Sequence, residues 1–363
     1  MDKPHPHSLI LTRPSDPQGQ CRLLTVPYEI RYKIYRYALS DFPDPAPEKQ
    51  YGRDESYTRP RYFSPRLTDT RLLQTCRAIY REAWTLPFTL KTHTHWICHR
   101  ALAPPTCIPA DDFIRPDKPS TVYLAKRISD QQKTDGYVLD KKGVVDVEST
   151  QIFAQVHMLQ EGDVAYALRH TILRPRQITL TIRRDDWAVW NPQLHLPGAW
   201  IGPVCEVLPD SVRRINVEVE QDMLRKEAVD AIIDQMRDKW FFKRKDGTRF
   251  YADASRDADD VTVWPLPPPT PVELATWTEF MGPNGLDLRA FDKNFYNVSV
   301  TFTPRSELEV ASGVVSANAK RAASAVVPQG GWQSLDLLSP EPMQPIMSAS
   351  LPLLQEQLLE QQQ

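Results

Sequence analysis

Glycine is scarce in this chain, at 13 of 363 residues. None falls into a Gly-x-Gly-x-x-Gly run or a Walker loop, so the backbone cradles that hold phosphates are missing. Gly-x-Ser-x-Gly and His-Glu-x-x-His are missing too, which removes the signatures of a hydrolase nucleophile and of a zinc protease. Cysteine is equally sparse. Cys21, Cys76, Cys98, Cys107 and Cys205 are odd in number, irregularly spaced and without a Cys-x-x-Cys pair, the usage of a reducing compartment. No uninterrupted apolar run reaches the roughly 18 residues that would span a bilayer, and Met1 to His7 lacks the apolar core of a signal peptide. Cytoplasm or nucleus is therefore the expected location, with no membrane partner. A dominant charge sign is also lacking: 44 Lys and Arg against 46 Asp and Glu leave a net charge of -2, so no global field draws in nucleic acid. Nothing in these absences calls for a cofactor, and no catalytic motif supports an enzyme.

Proline is plentiful, with 33 residues. Its clusters between Phe42 and Pro65, between Pro104 and Pro119, and in Pro265-Leu-Pro-Pro-Pro-Thr-Pro271 mark loops or linkers, because proline removes a backbone donor and disfavours helix before it. Between these clusters the patterning is globular, with an apolar share of 41%. Alternation predicts strands over 88–96, over Ile178-Thr-Leu-Thr-Ile182, and over 212–220, where Ile215, Val217 and Val219 share a face. A further strand is predicted over 297–302, taking in the Asn297-Val-Ser299 sequon. Leu224, Ala228, Ile232, Met236 and Trp240 form one helical stripe, and 241–251 reads as a hairpin turning at Asp246-Gly247. The result is an α+β class, a mixed or antiparallel sheet covered by helices, without regular βαβ alternation. From about Ser312 onward Ala, Ser, Gln and Pro dominate, a composition that predicts a disordered tail over 311–363, with 351–360 able to form a short amphipathic helix on binding.

Two amphipathic segments precede that body. In Arg22 to Leu39, Pro27 is placed in the opening turn of a helix with Thr25 as its N-cap, and Glu29 complements the positive end of the helix dipole. Ile30, Ile34 and Tyr37, with Ala38 beside them, recur on one face and predict a buried stripe, leaving Arg31, Lys33 and Arg36 outside. In Arg71 to Ala83 the stripe is Leu72, Cys76, Ile79 and Ala83, flanked by Leu73 and Tyr80, with Arg71, Arg77 and Arg81 outside. Pro87 bars a much longer helix.

Val26-Pro-Tyr-Glu-Ile30 with Ile34-Tyr35 and Leu39 resembles the opening helix of the F-box, and Thr75-Cys-Arg77 with Ile79-Tyr80 resembles its later helix with a Cys-Arg pair. Together they are similar to uncharacterised fungal proteins with an F-box-like amino terminus. The resemblance implies a helical module over 21–100, interrupted by a proline-rich insertion over 41–66, that binds the Skp-type adaptor of a cullin ubiquitin ligase. The α+β body over 101–310 would recognise the protein to be ubiquitinated, and residues 1–20 would form a flexible lead. Carried over by position, Val26, Pro27, Glu29, Ile30, Ile34, Cys76 and Arg77 would be the partner-binding residues.

Two alternatives come from other classes. A scaffold without a ubiquitin-ligase role would use Trp187 and Trp190 in loops, where large amphipathic rings can anchor a partner. A metal-dependent enzyme would use the carboxylates Asp253, Asp257, Asp259 and Asp260, a run that also fits a solvated loop, while the pair Asp185-Asp186 after the strand ending at Ile182 fits acid/base work or a turn. His93, His95, Cys98 and His99 are the densest metal-capable cluster. On a strand, however, His93 and His95 share a face and Cys98 takes the other, so the cluster does not converge.

Overall fold

A computed structural model of the chain describes residues 14, 20–52, 55–60, 62–105, 145–171, 173–187, 194–255, 260–265 and 294–325. The chain opens with a helical turn, α1 (Arg22–Thr25), and a longer helix, α2 (Tyr28–Leu39). A two-stranded antiparallel ribbon, β1 (Asp41–Pro43) on β2 (Arg66–Thr68), closes the base of the proline-rich insertion. A 3₁₀ turn over Arg71–Gln74 then leads into α3 (Arg77–Ala83) and α4 (Leu86–Leu90).

Everything that follows builds on one mixed sheet of eight strands. Its first half is parallel: β3 (Thr92–Ile97), β4 (Val145–Ala154), β5 (Leu173–Ile182) and β6 (Arg214–Asp222) lie side by side in that order. The crossover from β4 to β5 carries α5 (Val156–Gln160) and α6 (Asp163–His170), and that from β5 to β6 carries α7 (Ile201–Val207). After β6 come α8 (Lys226–Lys239), a hairpin of β7 (Phe242–Lys243) and β8 (Arg249–Ala252), and the strand β9 (Asp260–Pro265). The long β10 (Asn294–Pro304) runs antiparallel to β6, and its other edge pairs with β9 at 294–299 and with β8 at 302–304. Two helices close the described chain, α9 (Glu307–Ala311) and α10 (Ala317–Ala325).

Strand alternation sorts the sheet into two unlike faces. Ile152, Ile178, Leu180, Ile182, Ile215, Val217, Val219, Val298, Val300 and Phe302 point to one side, where the helices supply Leu159, Val164, Val204, Ile232, Ile233 and Met236 to the main core. The other face is polar and is described with the site below.

The α+β class and the mixed sheet hold. Ile178–Ile182, 212–220 and 297–302 all lie within strands or at their margins, and Asn297 to Ser299 is part of β10. The hairpin turns at Asp246-Gly247, with Gly247 at a φ of +87° that only glycine adopts without strain, while Arg244 braces the turn by donating to Asp246 Oδ2 at 2.6 Å. Several expectations need correction. βαβ connections do occur, carried by helices of five to eight residues that are too short to print a clear period. The strand expected from Phe88 begins only at Thr92, because Pro87 in a first turn starts α4 instead. Leu224 is 80% exposed on a 3₁₀ turn before α8, whose buried side adds Val229 and Ile233 to Ile232 and Met236.

The alanine-rich stretch that composition assigns to the tail also folds in part. α10 lays Ala319, Ala322 and Ala323 on the main core, small residues that let the helix approach α8 closely, and Val315 enters beside them. Ser316 and Asn318 fix its start by donating to the Asp238 carboxylate at 2.7 Å each. Residues 326–363, including 351–360, lie outside the described residues. Truncation after residue 312 should therefore destabilise the body by about 2–4 kcal/mol relative to truncation after 326, the worth of burying Val315 and three alanine methyls. Urea denaturation of the two truncations checks this.

Candidate functional site

Two surfaces carry chemistry beyond packing. The first is the helix pair. Tyr35 and Leu39 of α2 pack with Leu73, Ile79, Ala83 and Leu86 in a core of their own, with Leu72, Cys76 and Tyr80 at its margin. An ion pair fixes the arrangement: Arg31 Nε donates to Glu82 Oε2 at 2.9 Å and Nη2 to Oε1 at 2.7 Å, while the Tyr35 hydroxyl donates to Oε2 at 2.9 Å. Arg31 Nη1 also donates to the Val26 carbonyl at 2.5 Å, tying the turn before α2 to the helix.

These contacts rotate α2 relative to the expected stripe. Ile30, Ile34 and Tyr37 are 44, 41 and 86% exposed, and Arg31, expected outside, lies against Glu82. Pro27 occupies the N-cap position itself, just before the first turn, and Thr25 donates to the Arg22 carbonyl instead of capping. Pro27 and Glu29 are exposed, Val26 is half-buried, and Cys76 is half-buried against the core of the pair, so Cys76 is part of the packing and not of an open surface. Arg77 is exposed and donates to the Pro14 carbonyl at 3.2 Å. Of the seven predicted partner-binding residues, Pro27, Ile30 and Ile34 share one open face of α2, which Tyr37 extends.

The Arg31 hydrogen bonds hold the Glu82 carboxyl below its ordinary value of 4.5, against the opposing effect of burial. A lowered carboxylate contributes stability that is present above the unfolded value and lost as the pH falls through the lower folded one. Glu82→Gln should thus lower the melting temperature at pH 7, by an amount that shrinks as the pH falls below the ordinary value of 4.5; scans of both proteins down through the acid range check the sign. Burial and Glu82 together push the Tyr35 hydroxyl up to about 12, so it stays a donor throughout.

The second surface is the polar face of the sheet, whose partners lie far apart in the sequence. The described residues of the 41–66 insertion form a strap over this face, seating Tyr57 with Trp96, Cys98 and Phe153, with Tyr51 and Tyr62 alongside. Across the strands, Trp96, Phe153, Thr181, Glu218 and Ser299 stand in one register row. Gln151 donates to Thr181, Thr181 to Glu218 Oε2, and Arg59 Nη2 of the strap donates to that same oxygen at 3.2 Å. Arg59 Nη1 faces Glu220 Oε2 at 3.7 Å. At the carboxyl end of β5, Arg183 is buried with Asp186 in a forked pair, both contacts at 2.8 Å, and its Nη1 donates to the carbonyls of Leu102 at 2.7 Å and Ser56 at 3.2 Å. Burial alone would lower its proton affinity, but the Asp186 carboxylate holds the Arg183 guanidinium above its ordinary range. Arg184 pairs with Asp185 at 2.7 Å and reaches Asp222 at 3.8 Å. Burial raises the Glu220 carboxyl, with Arg59 and Arg183 opposing it. Ligand sites of open α/β sheets gather at the carboxyl ends of parallel strands, where this cluster lies.

Asp185 and Asp186, read from the sequence as a turn or an acid/base pair, form a 3₁₀ turn that neutralises arginines. Trp187 is buried in the main core, and Trp190 lies outside the described residues. Asp253 accepts from Arg305 at 2.8 Å and Asp260 opens β9, while Asp257 and Asp259 lie outside the described residues. His93 bonds to the Phe88 carbonyl at 2.9 Å, and burial pushes His95 down to about 4, which keeps it neutral. Among the described residues no group of three or more His, Cys, Asp or Glu is placed to hold a metal, and no helix is long and apolar enough to cross a membrane. No disulfide joins the four described cysteines, and burial pushes the Cys205 thiol up to about 12.

No protein-family model, curated protein or solved structure matches this chain.

Proposed function

We propose that the chain is a noncatalytic interaction protein that docks a Skp-type adaptor through the open face of α2 and presents its sheet body to a second protein, as a substrate adaptor of a cullin ubiquitin ligase would. The observation that carries this reading is the exposure of Ile30, Ile34 and Tyr37 on one side of a helix whose other side is fixed by Tyr35, Leu39 and the Arg31–Glu82 pair. A row of exposed aliphatic and aromatic side chains on a rigid helix is the usual anchor of a helix-in-groove interface. The likeness of Val26-Pro-Tyr-Glu-Ile30 and Thr75-Cys-Arg77 to the F-box supports the choice of partner.

Size-exclusion chromatography of the full-length chain mixed with a Skp-type adaptor tests the proposal. Co-elution is expected for the unaltered chain and loss of co-elution for the Pro27→Ala/Ile30→Glu variant. Separate elution of the unaltered, folded chain would leave the helix pair as a structural element only.

A further inference from the structure

Arg59 is a cation delivered by a strap into a site that the sheet builds without it. Glu218 and Glu220 stand on one face of β6, and the rings of Phe153 and Trp264 lie with their centroids 5.7 and 5.9 Å from the Arg59 guanidinium carbon. Carboxylates at the edge of a planar cation and aromatic rings across its faces are the chemistry that recognises guanidinium in particular.

The fit of Arg59 is incomplete. Nη2 reaches Glu218, but Nη1 stops 3.7 Å from Glu220 Oε2, beyond hydrogen-bond range, and neither Nη1 nor that oxygen has a hydrogen-bond partner among the described residues. Oδ1 of Asn297, the register partner of Glu220, also lacks one. All three residues are more than nine-tenths buried, so each unmade bond costs free energy. The strap that carries Arg59 is seated through Tyr57 on Trp96 and Phe153, and from there its guanidinium stops short of the second carboxylate; an untethered guanidinium could fork onto both. Charge points the same way, since the three guanidinium groups of the cluster, on Arg59, Arg183 and Arg184, are outnumbered by five carboxylates.

We propose that this sheet face is a guanidinium-binding site, with Arg59 as its resting occupant, that takes an arginine side chain of a partner or a small guanidino compound when the strap withdraws. This site is separate from the α2 face and does not depend on the docking partner proposed there.

Chemical rescue in the full-length chain tests it. Arg59→Ala removes the resident cation, and methylguanidinium at about 10 mM should then raise its melting temperature by about 2–4 °C over equal sodium chloride or urea. The unaltered chain, whose site is filled, and Arg59→Ala/Glu218→Gln/Glu220→Gln, whose carboxylates are gone, should shift by less than about 0.5 °C. An equal response of all three proteins, or none from Arg59→Ala, overturns the proposal. If Arg59→Ala does not fold alone, its refolding yield with and without methylguanidinium decides the matter: recovery supports the site and no recovery overturns it. Titrating Arg59→Ala with a blocked Gly-Arg-Gly peptide and with free arginine distinguishes the sources. The tighter binder names the source, and binding of neither overturns the proposal.

Discussion

Asp186→Ala should cost about 3–5 kcal/mol of stability, because it leaves the Arg183 guanidinium buried without its counter-charge. Both side chains of the pair are almost completely enclosed, and Asp186 accepts from Arg183 Nε, Nη2 and the Arg183 backbone N–H at 2.8, 2.8 and 2.9 Å. The guanidinium also lies over Trp96 and Phe153, with centroids at 5.1 and 5.3 Å, so it cannot turn toward water without leaving both rings. Removing the carboxylate therefore does more harm than removing the pair. Arg183→Met/Asp186→Leu, which replaces both charges with apolar groups, should recover at least half of the loss. Urea midpoints for the single and double variants measure the difference, and a single variant within about 0.5 kcal/mol of the unaltered chain would show that the pair is not the buried anchor described here.

Phe153→Ala should be about as damaging, at about 3–5 kcal/mol, and should show where the strap is held. Phe153 is fully buried, stacks on Trp96 at 4.1 Å, meets the edge of Tyr62 at 5.1 Å and underlies both Arg59 and Arg183. Its loss removes the floor on which the strap rests while leaving the helix-covered side of the sheet intact, because Ile152 and Ala154 point the other way. Trypsin cleavage after the exposed Lys49 should accelerate by about tenfold or more, ahead of cleavage in the body, since local opening governs proteolysis. Equal acceleration throughout the chain would mean that strap and sheet unfold as one unit.

Local pattern carries the sheet's middle strands and the β7–β8 hairpin, since Ile178–Ile182, Ile215 to Val219 and Asp246-Gly247 state their period or turn within a few residues. β4 escapes that pattern because Glu148, Ser149, Thr150 and Gln151 interrupt its alternation: Gln151, on the strap side with Phe153, donates to Thr181, while Glu148, on the opposite side with Ile152, faces Arg36 and Arg176 at 3.8 Å each. On α2, periodicity picks the wrong side to bury. Tyrosines at 28, 32, 35 and 37 spread apolar surface around the helix, so periodicity cannot choose between its two faces, and the choice falls to Arg31 meeting Glu82, 51 residues away. The sheet cluster is less legible still: the Arg59–Glu218 pair joins residues 159 apart. One signal is present, however. Glu218 and Glu220 alternate with Val217 and Val219 in a strand that the parallel half of a sheet buries on both sides, and charges in such a strand require partners.

The most direct test of the docking claim compares the two sides of α2. Ile34→Glu changes the open side and should weaken capture of a Skp-type adaptor by about 30-fold or more, the loss of one interface hot spot, while leaving the melting temperature within about 1 °C. Leu39→Ala changes the packed side and should lower stability by about 2–5 kcal/mol while folded protein still captures the adaptor. The reverse pattern, with capture surviving Ile34→Glu and lost in folded Leu39→Ala, would contradict the account.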